Sequence, residues 1–336
     1  MKWTLYHHQQ FDLVAQHWDD LNLKSNQQPI LDSAYVAICL EVFANGTEFI
    51  AYCEDDKGPL AIGIFHRIRF GHYATFQPSQ APLGLFIARD NQLSNTLLHS
   101  LIKALPGLVI HIDFLQQDTD IITFDDSTML ATDYITTGKL AVAQDFSEFF
   151  AGLGKNMRQN YNKVINRSAK QGQILSTHRQ VHPLDVVAAV ALFGQFESSG
   201  WKGEGGTAVN IDNQQGQFYV KLLQHYAHNN RAEIWHYQVD GQTVAIDLCI
   251  KSAQTLIILK TAYDEQFKKL SPALQLKFEI LRHHAALTGE KRLHHVEFFG
   301  KAMEWHKRFN SQLRPIKHLS YFSHRIWLNL YRWLKR

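Results

Sequence analysis

The chain has 336 residues, with 34 Lys+Arg against 31 Asp+Glu and a formal net charge of +3. At 45% hydrophobic and 19% charged residues it reads as globular, not disordered, and as long enough for two domains or one large one with a sizeable core. So small a net charge argues against a dedicated nucleic-acid binder, and DNA is not an expected partner.

Three cysteines without a CxxC pair exclude a disulfide scaffold and a thiolate zinc site. Cys39, Cys53 and Cys249 sit in apolar runs and read as small buried hydrophobes. The opening stretch MKWTLYHHQQFDLVAQHWDD lacks an apolar core of signal-peptide length. No stretch approaches the ~18 apolar residues of a membrane-spanning helix. The expected location is therefore the cytoplasm.

In chain order, Phe11, Val14, Ala15, Trp18 and Leu21 have helical spacing over 8–23. EFIAYCED and PLAIGIFHRIRF read as strands around the turn DKG, with a further strand at HYATFQ. NQLSNTLLHSLIKAL (91–105) is helical and stops at Pro106-Gly107, and LVIHIDFL (108–115) is a strand. Asp145 to Gly172 is a helix pair or one long helix, with Gly172 as its C-cap. Its second half carries Lys155, Arg158, Lys163, Arg167 and Lys170 and no acidic residue.

QILSTHRQ is then a strand, and 184–198 a helix. SGWKGEGGTA is a glycine-rich loop, and QGQFYVKLLQHYAHNN a helix. Three strands follow, AEIWHYQV, TVAIDLCIK and TLIILKTAY, the first two joined by the hairpin signal Asp240-Gly241. A helix starts at Ser271-Pro272, with Ser as N-cap and Pro at the first position, and runs to about Leu287. LHHVEFFG is a late strand, and AMEWHKRF a short helix or turn.

Residues 48–65 and 232–249 look like copies: strand, acidic turn, then strand with Ala-Ile at the same phase. Each is followed by a further strand and a helix, a spacing too long for a solenoid. This predicts an α/β (α+β) protein with mixed sheets and two domains of one fold. The expected boundaries are 1–150, a basic connecting helix over 151–174, a second domain over 175–315, and an amphipathic C-terminal helix over 316–336.

ILKTAYDEQFKKLSPALQLKFEI (258–280) places a strand, a basic loop and a capped helix in succession. Free N–H groups and partial positive charge make such a helix start an anion site, suited to a pyrophosphate. On the residues alone, an ordinary capped helix with solvated Lys268 and Lys269 is the simpler reading.

Several segments resemble, in order, the FemAB-like branch of the GNAT acyltransferase superfamily, which includes the CelD-type proteins of polysaccharide biosynthesis. These are NMRQNYNKVINRSAKQGQ, ESSGWKGEGGTA, VDGQTVA, YDEQFKKLSPALQL and VEFFGKAMEWHKRF, spanning about 150–310. The N-terminal half is supported only by the internal duplication, in keeping with the tandem GNAT domains of that branch. Where the family has Ser-Pro-Gly this chain has Ser271-Pro272-Ala273, which leaves open whether the donor is coenzyme A-linked.

The resemblance implies direct acyl transfer, with acetyl-CoA or another acyl-CoA as co-substrate and no metal. The acceptor would be an amine or hydroxyl of a sugar, peptide or cell-envelope precursor. Lys268, Lys269, Leu270, Ser271, Ala273 and Leu274 would hold the donor. Asp264 is the first choice of base and Glu297 the second, because partial burial at a strand end suits a carboxylate to taking a proton. Tyr263 would protonate the leaving thiolate. Lys260, Lys202 and Lys307 would line the acceptor side, with Trp201 and Trp305 as apolar walls. Each has a plainer role: turn residue for Asp264, packing for Tyr263 and the tryptophans, solvated charge for the lysines.

FemAB relatives use aminoacyl-tRNA, so a tRNA-dependent transferase is the alternative, and a non-catalytic acyl-binding or scaffold protein the third. The 19 histidines are scattered, and the pairs His283-His284, His294-His295 and His225/His228 complete no metal motif. The tail YFSHRIWLNLYRWLKR (321–336) is basic, aromatic and amphipathic. It reads as a helix docked on the body or as a peripheral membrane contact.

Overall fold

The chain folds into two units, Met1–Thr137 with Arg314–Arg336, and Gly138–Leu313. The structure, a computed structural model, describes residues 1–25, 27–199 and 208–334. In the first unit β1 (Lys2–His7), β2 (Phe49–Asp55), β3 (Gly58–Arg69) and β4 (Gly71–Thr75) form successive antiparallel pairs. Between β1 and β2 lie α1 (Ala15–Ser25) and α2 (Ser33–Phe43). The helix expected over 8–23 is in fact broken: His8–Leu13 is a 3-10 segment, with non-helical Gln10, ahead of α1.

β5 (Phe86–Ala88) pairs with β3, and β6 (Gln92–Leu93) precedes α3 (Asn95–Ala104). Ser94 caps α3 by accepting the Leu97 N–H, and Leu97, Leu98 and Leu101 bury its apolar face. β7 (Val109–Asp118) then lies parallel to β4. β8 (Thr123–Phe124) pairs with β6, and β9 (Met129–Ala141) leads into the second unit.

That unit opens with α4 (Phe146–Gly152) and α5 (Lys155–Lys170). Met157, Tyr161 and Val164 recur at helical spacing and are buried in the unit's core, while Lys155, Lys163, Arg167 and Lys170 are exposed. The basic helix is thus part of this unit's core and not a connector over 151–174. Next come β10 (Leu175–Gln180), α6 (Val186–Ser199) and α7 (Gln214–His228). Then follow β11 (Ala232–Val239), β12 (Gln242–Lys251), β13 (Thr255–Tyr263), α8 (Pro272–Ala285), β14 (His295–Glu297) and α9 (Glu304–Arg308).

The strand order in this unit is β9, β14, β13, β12, β11, β10. β13 and β14 are parallel, and the other pairs are antiparallel. β15 (Gln312–Phe322) returns the chain to the first unit, pairing with β7, and α10 (Arg325–Leu334) follows. The expected boundary at 315 and the terminal helix from 316 are therefore corrected. Residues 316–322 are sheet, and Tyr321 and Phe322 are buried.

The duplicated segments form hairpins with the same irregularity. Asp55 and Gly58 close the first turn, Val239 and Gln242 the second. One residue further in, each pairing slips: Glu54 faces Pro59 but Cys53 faces Ala61, and Gln238 faces Thr243 but Tyr237 faces Ala245. A bulge at the equivalent place in both copies adds twist at the equivalent place. After each hairpin come an antiparallel strand, a helix and a parallel strand: β4, α3, β7 and β13, α8, β14.

Asp240 and Gly241 both have positive φ, 51° and 80°, the left-handed pair of a two-residue hairpin turn. Gly241→Ala forces a side chain into that region, at a cost of about 1–2 kcal/mol. The expected outcome is a lower urea midpoint with an unchanged m-value.

Candidate functional site

The seam between the two parallel strands differs between the units. In the first, β4 is paired with β7 from Gly71↔Val109 to Ala74↔Asp113, and the Leu115 N–H donates to Thr75 Oγ1 at 2.9 Å beyond that. In the second, only Thr255↔His295, Leu256↔Val296 and Ile257↔Glu297 pair. β13 continues to Tyr263, while the other strand turns off at Phe299 (φ 48°), with the Phe298 N–H donating to the Gly138 carbonyl on its other side. Among the described residues the ladder ends at Ile257, leaving a wedge between the diverging strands beside Ile258–Tyr263, and β13 runs on towards its mouth at the start of α8.

The wedge floor is side chain. Ile258, Leu281, Val296, Phe298, Trp305 and Phe309 pack around a residual cavity of about 10 Å³. Trp305 stacks on His306 at 3.6 Å between ring centroids, and Phe298 meets His306 edge-on at 4.8 Å. His306 Nδ1 accepts the Met303 N–H at 2.8 Å, so the ring proton sits on Nε2. Burial lowers the His306 pKa to about 4. Under the same helix, Lys277 Nζ donates to Asp247 Oδ2 and, at 2.9 Å, to Thr261 Oγ1. Lys277 and Asp247 are buried, one on α8 and the other on β12, so this pair ties the helix to the sheet beside the wedge. Neither residue stands out in the sequence, because a Lys in a helix and an Asp in a strand read as surface.

At the mouth, Glu265–Leu270 forms a 3-10 turn capped by Asp264, whose Oδ1 accepts the Gln266 N–H at 2.9 Å. Ser271 occupies the N-cap position of α8 as expected but does not cap it. Its φ and ψ are 48° and 52°, and its side chain makes no capping bond. Its carbonyl instead accepts the Leu274 and Gln275 N–H groups. Pro272 has no N–H, so Ala273 presents the first amide of the helix. Lys268, Lys269 and Ser271 are exposed, Ala273 and Leu274 half-buried, and Leu270 buried in the core.

Tyr263, at the strand end, is half-buried. Burial, then the neighbouring Glu265 carboxylate, raises its phenol pKa and keeps it protonated. The mouth therefore gathers Tyr263, Asp264, Lys268, Lys269, Ser271 and Ala273. The other expected residues fall elsewhere. Glu297 is buried at the last register pair of the seam, 3.7 Å from Lys139 Nζ on β9. Lys260 points to the opposite sheet face, 3.8 Å from buried Glu197 on α6. Lys307 is exposed and paired with Glu304 at 3.0 Å, while Trp305 lies on the floor of the wedge. Trp201 and Lys202 lie outside the described residues.

Two further clusters were missed by sequence reasoning. A cavity of about 480 Å³ lies at the far end of β13 and α8 from the wedge mouth. Arg179, Arg231, Lys251, His283 and Lys291 are among its lining residues. Buried Glu233 beneath it accepts from Arg179 at 3.0 Å and Lys251 at 2.9 Å. In the first unit, His72, His111 and Asp113 place their ligand atoms within 4.8 Å of one another, the geometry of a candidate metal site. However, the two imidazoles stack at 3.9 Å and both Nε2 atoms face one Asp113 oxygen, at 2.8 and 3.9 Å. Of the two, only His72 lies within hydrogen-bond distance of Asp113.

Residues 155–308 match the acetyltransferase (GNAT) domain family. No curated protein sequence matches the chain. Among solved structures, FemX superposes with a TM-score of 0.59 at 9% identity, covering 100% of each chain. The C-terminal domain of a protein assigned as a lysylphosphatidylglycerol synthetase from Agrobacterium fabrum gives 0.55 at 12%, covering 92% of each. L-PGS from Bacillus licheniformis gives 0.51 at 12%, again covering 92% of each. At these identities the likeness is one of fold.

Lys277→Met leaves the Asp247 carboxylate buried without its partner and is expected to cost about 3–5 kcal/mol, whereas Lys277→Met with Asp247→Leu recovers most of that loss. Chemical denaturation of the three proteins measures both. His306 is neutral when folded, with a pKa near 4 against 6.5 as its ordinary value. The unfolded chain therefore takes up the proton first as pH falls. Stability is full above pH ~6.5 and is lost towards pH ~4, by up to ~1.4 kcal/mol per pH unit from this group. Melts across that range should show the decline, and His306→Phe should make it shallower, while His111 and His236, also lowered to about 4, keep the rest.

Proposed function

We propose that this chain, whose residues 155–308 match the acetyltransferase (GNAT) domain family, moves an acyl group from an acyl-coenzyme A to an amine or hydroxyl of a cell-envelope precursor. The observation that carries this reading is the seam. It is closed beside β4 in the first unit and open along Ile258–Tyr263 in the second. In the second unit, among the described residues, an extended thioester arm can lie beside this stretch and make backbone hydrogen bonds of the kind a neighbouring strand would make. The start of α8 lies at the end of that stretch. There the Ala273 amide, the helix dipole and the exposed Lys268 and Lys269 favour a diphosphate.

The acceptor attacks the thioester carbonyl directly, its proton passing to a base as the C–N or C–O bond forms and the C–S bond breaks. Asp264, at the wedge mouth, is the base of this reading, and Tyr263, protonated, supplies the proton to the departing thiolate. Glu297, pinned to Lys139 at the seam, holds the strands together instead. The envelope-precursor acceptor rests on the motifs over 150–310 that resemble the FemAB-like, CelD-type branch.

One observation favours a second donor. α5 exposes Lys155, Lys163, Arg167 and Lys170 along one helix that carries no acidic residue. Such a face suits the phosphates of an aminoacyl-tRNA.

Calorimetric titration separates the readings. Acetyl-coenzyme A binding that Ala273→Glu weakens at least ~10-fold, by placing a carboxylate at the helix start, supports the first. Binding confined to tRNA and falling steeply with salt supports the second. Asp264→Asn is expected to keep donor affinity and lose turnover ~100-fold or more. Full turnover in that variant removes Asp264 from the mechanism.

A further inference from the structure

Two apolar, basic segments far apart in sequence meet on the first unit. The junction of β3 and β4 reads Arg67-Ile68-Arg69-Phe70, with Ile68 47% and Phe70 68% exposed. On α10, Ile326 is 76%, Leu330 43% and Trp333 71% exposed, while Leu328 is buried. At about 100° per residue, Ile326, Leu330 and Trp333 share one side of the helix, and Leu328 anchors the opposite side to the body. Arg69, Phe70, Trp327, Leu330 and Tyr331 line one shallow depression of about 190 Å³, so the turn and the helix form one surface. Its charge comes from Arg67, Arg69, Arg325 and Arg332, and neither 66–72 nor 321–334 contains an acidic residue.

We propose that this surface seats the protein on an anionic lipid bilayer. Exposed Phe and Trp side chains insert at headgroup depth, and arginines beside them reach the lipid phosphates while their stems stay in the apolar layer. The charge pattern selects this occupant. A second copy docking by two-fold symmetry would set the same arginines against each other, whereas an anionic leaflet attracts all of them at once. α10 lies on the surface and does not cross it: at ~1.5 Å per residue it is about half the ~30 Å hydrocarbon thickness. Among the described residues no helix is long and apolar enough to span a membrane.

Co-sedimentation of the full chain with vesicles tests this. Binding is expected to phosphatidylcholine vesicles containing phosphatidylglycerol, weakened by salt, and not to phosphatidylcholine alone. Arg67→Ala and Arg325→Ala should each lower the partition coefficient about fivefold. Phe70→Ala with Trp333→Ala should abolish binding while leaving the thermal melt unchanged, since both side chains are exposed. No binding to the phosphatidylglycerol vesicles at low salt, equal binding to neutral vesicles, or a lipid-free dimer that the Phe70/Trp333 variant dissociates would each overturn the proposal. Coenzyme A titrations made without vesicles report on the wedge alone, so failure of one reading leaves the other standing.

Discussion

The parallel pairing of β13 with β14 lasts three residue pairs and then stops, and the rest of the candidate site follows from that stop. A strand whose edge groups lack a neighbour must find partners elsewhere, because backbone N–H and C=O groups are costly to leave unmet. In the first unit the equivalent edge is met by β7, helped by the Thr75 hydroxyl. In the second, Phe299 takes a left-handed conformation and carries the chain away. One topology, built twice, keeps its parallel seam paired along β4 in one copy and for only three residue pairs in the other.

Opening a sheet weakens it, and the structure compensates close by. Phe298, Trp305, His306 and Phe309 fill the base of the wedge with ring contacts, so the opening is confined to its mouth. The Lys277–Asp247 pair fastens α8 to β12 and, through Thr261, to β13. A buried pair of this kind adds little net stability over apolar residues, but it fixes geometry, because either partner alone in the core is strongly unfavourable. It therefore sets where the first turn of α8 stands relative to the strand that a donor would follow. The cavity lined by Arg179 and Lys251 lies at the other end of the same helix.

Much of the second unit was legible in its residues. Asp240-Gly241 between alternating apolar runs marked the hairpin, and Ser271-Pro272 marked the start of α8 to the residue. The role of Ser271 was misread, because a serine at that position usually caps with its side chain, and nothing local reveals that the preceding 3-10 turn drives it left-handed. β15 was missed because Pro315, Lys317 and His318 interrupt its alternation, and pairing with strands far off in sequence, β7 among them, makes a strand of it. The basic run of α5 drew attention to its charges, while its docking on the core rests on Met157, Tyr161 and Val164.

By itself, then, the sequence determined local matters: the periodicities, the turn residues, the doubling of one hairpin, and the order of motifs that resemble a transferase branch. These depend on residues within a few positions of one another, so a linear reading reaches them. Tertiary structure decided which copy has an open seam, that Lys277 and Asp247 meet, that Lys260 points elsewhere, and that Arg67–Phe70 joins α10 in one surface. Those outcomes depend on which strand edges pair and which helix faces dock, and such long-range choices are settled only when the whole chain closes on itself.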